Sequence, residues 1–182
     1  MAGRRRSRAD GAPPAPHERP VLDAKAAKLA AVDLLSRRAW TRSELTRRLM
    51  RRGAPAEVAE VVVADMVGRG YVDDAAFARH FVETRAGRGY GAARLAADLR
   101  SRGVEAALVT AALGELDRDA QLDQARALAR SRLPALRRAS PQRAAGRLRD
   151  YLLRRGFQAR IVMKIAREMT TLLSEGPQED PT

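Results

Sequence analysis

The chain contains no cysteine, which excludes disulfides, thiol catalysis and cysteine-ligated metal sites. Aromatic residues make up only 4% of it, so an interior must be built from alanine, leucine and other small aliphatic side chains. Histidine occurs twice, at His17 and His80, with no second histidine at ligand spacing from either. No apolar run approaches the roughly 18 residues that a membrane-spanning helix requires. The basic opening stretch "MAGRRRSRADGAPPAPHERP" leads into no apolar segment of the kind that makes a signal peptide. We therefore expect a cytoplasmic protein with no membrane partner. Alternating apolar and polar residues, the mark of a strand, are also missing.

What is present is arginine. The 182 residues hold 35 basic and 22 acidic side chains, a formal net charge of +13, and all but Lys25, Lys28 and Lys164 of the basic ones are Arg. Such a balance suits an anionic partner, nucleic acid or a nucleoprotein ahead of a membrane. GC-rich coding alone would produce part of the same bias. The charge is banded. Residues 37–52 carry seven arginines against one glutamate, and residues 130–155 nine against one aspartate, whereas 53–84 carry six acids against two arginines.

Three stretches share one pattern: "LTRRLMRRG" (45–53), "LAADLRSRG" (95–103) and "LRDYLLRRG" (148–156). Leu45, Leu95 and Leu148 stand eight residues before Gly53, Gly103 and Gly156, and Leu49, Leu99 and Leu152 stand four before. Arg52, Arg102 and Arg155 immediately precede the glycines. Val58, Leu108 and Ile161 follow at five, Val62, Ala112 and Ile165 at nine, and Met66, Leu116 and Met169 at thirteen. Steps of four on both sides predict two amphipathic helices joined at a glycine that adopts positive φ. In that termination motif the next residue packs back, so Val104 should meet Leu99, Phe157 should meet Leu152 and Ala54 should meet Leu49.

A further helical stretch precedes each pair, at about 23–38, 74–85 and 117–133. Thr41 with Glu44 spells a capping box, Ser140-Pro141 puts a cap before a proline, and Pro55 suits a first helical turn. Asp73 is placed to cap a helix and Asp74 to face its positive end. The resulting expectation is an all-α chain of three tandem three-helix, helix-turn-helix-like repeats forming an elongated, curved molecule. Its parts would be a disordered basic arm (1–20), repeats at 21–70, 71–116 and 117–173, and a disordered acidic tail (174–182).

No catalytic constellation is found. Asp73 and Asp74 are adjacent and point apart, "GRGYGAARL" (87–95) lacks the Lys-Ser/Thr of a phosphate-binding loop, and neither a nucleophile elbow nor a metal cluster occurs. We expect no enzyme activity, no cofactor and no metal. The candidate binding residues are the clustered arginines Arg37, Arg38, Arg47, Arg48, Arg51, Arg52, Arg137, Arg138, Arg143 and Arg147. Arg51 and Arg52 suit a helix C-terminus, but Arg47 and Arg48 face them as like-charge pairs, a cost that an anionic partner offsets. Phe77 and Phe81 share a helix face and suit the core. Tyr71 is expected to wedge between the first two repeats, and Trp40 to staple the helix that follows it.

"GYVDDAAFARHFVETR" (70–85) followed by "LAADLRSRGV" (95–104) resembles the RecX regulatory family, as do "TRSELTRRLMRRG" (41–53) and "YLLRRGF" (151–157). The likeness covers about 22 to 173. Family members usually carry a Gly-Pro or Lys-Gly-Pro step before the second helix of the middle unit, where this chain has Gly89-Tyr90-Gly91. The resemblance implies a non-enzymatic protein that binds the RecA filament in its groove and restrains its ATPase and strand exchange. On that basis we expect RecA and, non-specifically, DNA as partners of a monomeric protein. The alternative is a helix-turn-helix transcriptional regulator, against which stand helices at 55–68 and 104–116 that are poor in base-reading groups.

Overall fold

A computed structural model describes residues 21–136 and 140–174. Among them are nine helices and no strand: α1 (Ala24–Arg37), α2 (Arg42–Arg51), α3 (Ala56–Gly68), α4 (Asp74–Ala86), α5 (Ala92–Ser101), α6 (Ala106–Gly114), α7 (Arg118–Leu136), α8 (Pro141–Arg154) and α9 (Ala159–Ser174). The basic arm and all of the acidic tail beyond Ser174 lie outside the described residues, and Ser174 itself closes α9.

Helix starts follow local chemistry. Asp23 accepts from the Ala26 amide at 2.7 Å, Thr41 from Glu44 at 3.1 Å, and Asp73 from Ala75 and Ala76 at 2.8 and 2.9 Å. The box expected at Thr41 is half closed, because the Glu44 carboxylate turns away to Arg102. Ser140 makes no side-chain cap bond, although Pro141 does open α8. Pro55 sits one residue earlier than expected, at the cap of α3. α7 runs through Pro134 to Leu136 rather than stopping at 133.

The three glycine turns are geometrically equivalent. Gly53, Gly103 and Gly156 have φ of 102°, 79° and 84°, which an L side chain adopts only with strain. The following amides bond back to Leu49, Leu99 and Leu152 at 3.1, 3.1 and 3.2 Å, and the glycine amides to Met50, Arg100 and Leu153 at 3.0, 2.9 and 2.9 Å. This is the Schellman pattern, with Ala54, Val104 and Phe157 buried behind it.

Burial follows the register. All six leucines at eight and four residues before the glycines are buried, as are Val62, Ala112 and Ile165. They fall into three separate cores: one around Leu45, Leu49 and Met66, one around Phe81, Leu95 and Leu99, and one around Leu148, Leu152 and Ile165. Each helix packs chiefly on the other two of its own unit. Tyr71 departs from expectation. It is 65% exposed and lies over Val32, Leu35 and Met66 of the first unit, while its neighbour Val72 is buried in the first core. A phenol hydroxyl is better left in water than sealed between cores. Trp40 leans on the first core and donates its indole N–H to the Leu34 carbonyl at 3.0 Å, satisfying an orphan acceptor at the end of α1.

Neighbouring units meet end to end. At the first joint the start of α2 docks on the end of α5. The Thr41 hydroxyl donates to the Arg102 carbonyl at 2.7 Å, and a side chain at Gly103 would overlap Ser43. Across the same joint Asp74 accepts from the Arg42 amide at 2.9 Å, so it serves α2 as well as its own helix. At the second joint the start of α5 docks on the end of α8. Gly91 and Ala93 donate to the carbonyls of Arg155 and Gly156 at 2.8 and 3.0 Å. A Cβ at Gly91 would overlap the backbone of Gly156 and Phe157.

Two outcomes follow. Leu99→Ala, at a site with no exposed surface, lowers unfolding free energy by roughly 2–5 kcal/mol in urea titrations; a neutral result contradicts the register. Gly91→Ala opens the second joint, so amides 91 and 93 lose hydrogen-exchange protection while the α5 interior keeps it. Unchanged protection at both amides would show the close approach to be unimportant.

Candidate anion-binding cleft

α2 directs Leu45 and Leu49 into the first core and leaves its arginines outside. Arg47 and Arg51, four residues apart, share a face. That face lines one wall of a cleft of about 520 Å3 between the first two units, together with Arg38, Trp40 and Glu44. The opposite wall comes from α4 and α5, with Phe81, Arg85, Arg94, Asp98, Ser101 and Arg102.

The cleft is strongly cationic, with six arginines against two carboxylates. Arg102 lies 2.6 Å from Glu44 Oε1 across the first joint and is stacked over Phe81 and Phe77 at 5.3 and 5.9 Å. Glu44 Oε2 is buried without a hydrogen bond and has Arg38 at 3.6 Å. Only 15% of the Glu44 side chain is exposed, so this pair is less screened than an ordinary surface pair. Arg38 covers the Trp40 ring at 3.4 Å. Arg94 pairs with Asp98 at 3.0 Å, and Arg85 lies over Phe81 and Tyr90 at 5.2 and 5.8 Å. Arg47 donates from Nε to the Ser43 carbonyl of its own helix at 3.2 Å.

The arginines singled out from the sequence divide. Arg38, Arg47 and Arg51 line the cleft. Arg37 and Arg52 converge on Asp33 of α1, at 2.8 and 3.5 Å. Their positive charge holds the Asp33 carboxyl below the usual carboxylate range, the Arg37 hydrogen bond contributing most. Arg48 is exposed on α2, and Arg143 and Arg147 are exposed one turn apart on α8. Arg137 and Arg138 fall outside the described residues. Arg85, Arg94 and Arg102 are not among the arginines singled out, although 85–102 carries five arginines against one aspartate; they are spread over two helices rather than clustered in one run. Two signals lie in the sequence: that excess of arginine, and Arg102 repeating the position of Arg52 and Arg155.

Elsewhere, Lys28 and then Arg69 lower the Asp65 carboxyl, and Arg126 lowers Glu168 while bridging α7 to α9 at 3.0 Å. His80 is exposed. Among the described residues no group of three or more His, Asp or Glu is placed to hold a metal, and no helix is long and apolar enough to cross a membrane.

Comparison with known proteins agrees with the geometry. Residues 27–66 match the family model described as the RecX first three-helix domain, and residues 73–113 the RecX second three-helix domain. Regulatory protein RecX of Thermobifida fusca is 40% identical over 155 residues, covering 85% of this chain and 83% of the relative. That of Amycolatopsis mediterranei is 36% identical over 145 residues, covering 79% and 83%. The crystal structure of RecX from Lactobacillus salivarius superposes with a TM-score of 0.74 at 19% identity, over 81% of this chain and 97% of that one. At that identity the superposition speaks for the fold.

The Asp33 pairing sets a pH dependence. A carboxyl whose pKa is lowered on folding stabilises the fold above its unfolded value, about 3.9, and the contribution is lost as pH falls through the lower folded value. Asp33→Asn therefore lowers stability at neutral pH and flattens the acid limb of the stability–pH curve. A curve parallel to that of the parent protein would show that Arg37 and Arg52 do not hold this carboxylate in solution.

Proposed function

The chain belongs to the RecX family of regulatory proteins, and from that premise we propose that it binds the RecA recombinase filament on DNA. Bound there, it restrains ATP hydrolysis and strand exchange, and so modulates recombination and repair. The observation that carries this reading is the combination of three separately cored units with a cationic cleft at the joint between the first two. A row of units with narrow joints can follow an extended surface. Excess arginine suits a filament that presents nucleic-acid phosphate. The protein acts as a cytoplasmic monomer without a cofactor, through surface contact rather than chemistry.

The same fold gives little support to a sequence-reading transcriptional regulator. In α3 the interior takes Ala59, Val62, Val63 and Met66, and α6 carries no basic residue. Arginine or asparagine side chains able to read base edges are absent from both helices.

The test is hydrolysis of ATP by RecA on single-stranded DNA, followed as this protein is added. Hydrolysis falls at sub-stoichiometric ratios. Full activity at equimolar protein would rule the reading out, and a footprint on one defined operator that survives competitor DNA would replace it with the transcriptional one.

A further inference from the structure

We infer that the cleft between the first two units seats the backbone phosphates of single-stranded nucleic acid, and that Glu44 occupies that seat as an internal competitor. The inference deepens the filament reading by naming a site and a ligand chemistry, and it rests on that reading for its biological setting alone.

Charge is the first argument. Six guanidinium groups from two units converge on two carboxylates, leaving a formal excess of four positive charges in one concavity. Converging like charges are unfavourable until an anion enters. Arginine forks match phosphate oxygens better than a compact ammonium does.

Size and surface narrow the ligand. A cleft of about 520 Å3 has room for a short run of an extended single chain, far less than a duplex segment would fill. Its rings are already covered. Arg38 lies 3.4 Å over Trp40, and Phe81 is 9% exposed beneath Arg85 and Arg102. With no bare ring face for a base to stack on, the cleft reads backbone charge and ignores base identity. Arg47 and Arg51 are one helical turn apart, about 6 Å along the axis, a step comparable with that between successive phosphates of an extended strand. A nucleic-acid strand repeats that step along its whole length, which favours it as the occupant.

Glu44 is the third argument. Its Oε1 holds Arg102 at 2.6 Å, while Oε2 is buried with no hydrogen bond, 3.6 Å from Arg38. The carboxylate thus stands among the arginines as an anion would, incompletely satisfied. A phosphate entering the cleft competes with it for Arg38 and Arg102. Removing its charge should therefore strengthen binding.

The experiment uses the full chain and a short fluorescent oligothymidylate, without RecA, and follows anisotropy across a range of salt. Arg47→Ala with Arg51→Ala weakens binding several-fold and lowers the salt slope by about 0.7 for each arginine. Glu44→Gln tightens it and steepens the slope. Arg79→Ala removes one positive charge and Glu57→Gln one negative charge at exposed positions away from the cleft, and both leave binding essentially unchanged. Oligothymidylate and mixed-sequence strands bind alike.

The inference fails if the double variant binds no more weakly than Arg79→Ala, if duplex DNA is affected to the same extent, or if polyglutamate is the tighter ligand. It fails equally if Glu44→Gln melts normally and does not tighten binding. Should that variant loosen the fold, the arginine pair decides. Because RecA is absent, a negative result here leaves the ATPase restraint standing, and a negative ATPase result leaves the cleft standing.

Discussion

A helix that ends in a left-handed glycine leaves carbonyls pointing outward with no partner in the helix, and in this protein the next helix end supplies one. The end of α5 receives the start of α2, and the end of α8 receives the start of α5, each through short bonds to the carbonyls beside the glycine. Orphan donors and acceptors satisfy one another, and the positive end of one helix faces the negative end of the next. Gly103 abuts Ser43, Gly91 abuts the backbone of Gly156 and Phe157, and Gly156 abuts Arg94, each with no room for a Cβ. The turn is therefore both the stop signal of a helix and the docking face of a unit. Contact between units centres on these ends, and the three cores stay separate.

The joints explain why arginine precedes the glycines. A residue at the rim of an end-to-end contact is half in water, where a long stem with a charged head is favoured. Arg102 reaches back to Glu44 and lies over Phe81 and Phe77, and Arg155 lies over Tyr90 and Tyr151 at 5.2 and 5.4 Å. Few aromatic residues are available, and much of their polarizable surface is covered by guanidinium groups. Arg52 pairs with Asp33 instead. These cations are committed to the fold. With 35 basic side chains against 22 acidic ones, many others have no carboxylate to meet, and a part of that excess collects in the cleft.

Much of the fold was legible because it is repetitive and local. Leucines at fixed distances from a glycine need only helical geometry to be placed, and all six are buried. Asp73 and Thr41 cap as their types suggest, since a cap is decided within three residues. What escaped prediction was decided at longer range. Glu44 left its capping box because Arg102 lies 58 residues away in sequence but 2.6 Å away in space. Tyr71 stayed in solvent because Val72 took the buried place. Arg85 and Arg94 belong to the cleft because the fold brings α4 and α5 opposite α2, a juxtaposition that no local run of charge encodes. Gly91 is a position whose amide donates to the next unit and whose missing side chain lets it approach, a demand set by Arg155, 64 positions away, and not by its own neighbours.

The cleft and the first joint share their central ion pair, and that has a thermodynamic consequence. Arg102 contributes its carbonyl to Thr41 and its guanidinium to Glu44, so one residue clamps both the backbone and the side chains of the junction. An anion that drew Arg102 from Glu44 would remove the side-chain half of that clamp and leave the backbone half, Thr41 to Arg102 and Arg42 to Asp74, in place. It would also remove the counter-charge from a carboxylate that is 15% exposed, a state the fold would relieve by moving Glu44 toward water. Occupancy of the cleft as inferred above would therefore be coupled to the packing of the first joint, and such a coupling acts in both directions. A surface that fixed that packing would alter the affinity of the cleft, and a filled cleft would alter the surface that the row of units can follow. In a chain with three separate cores, the joint is where a bound anion would have leverage.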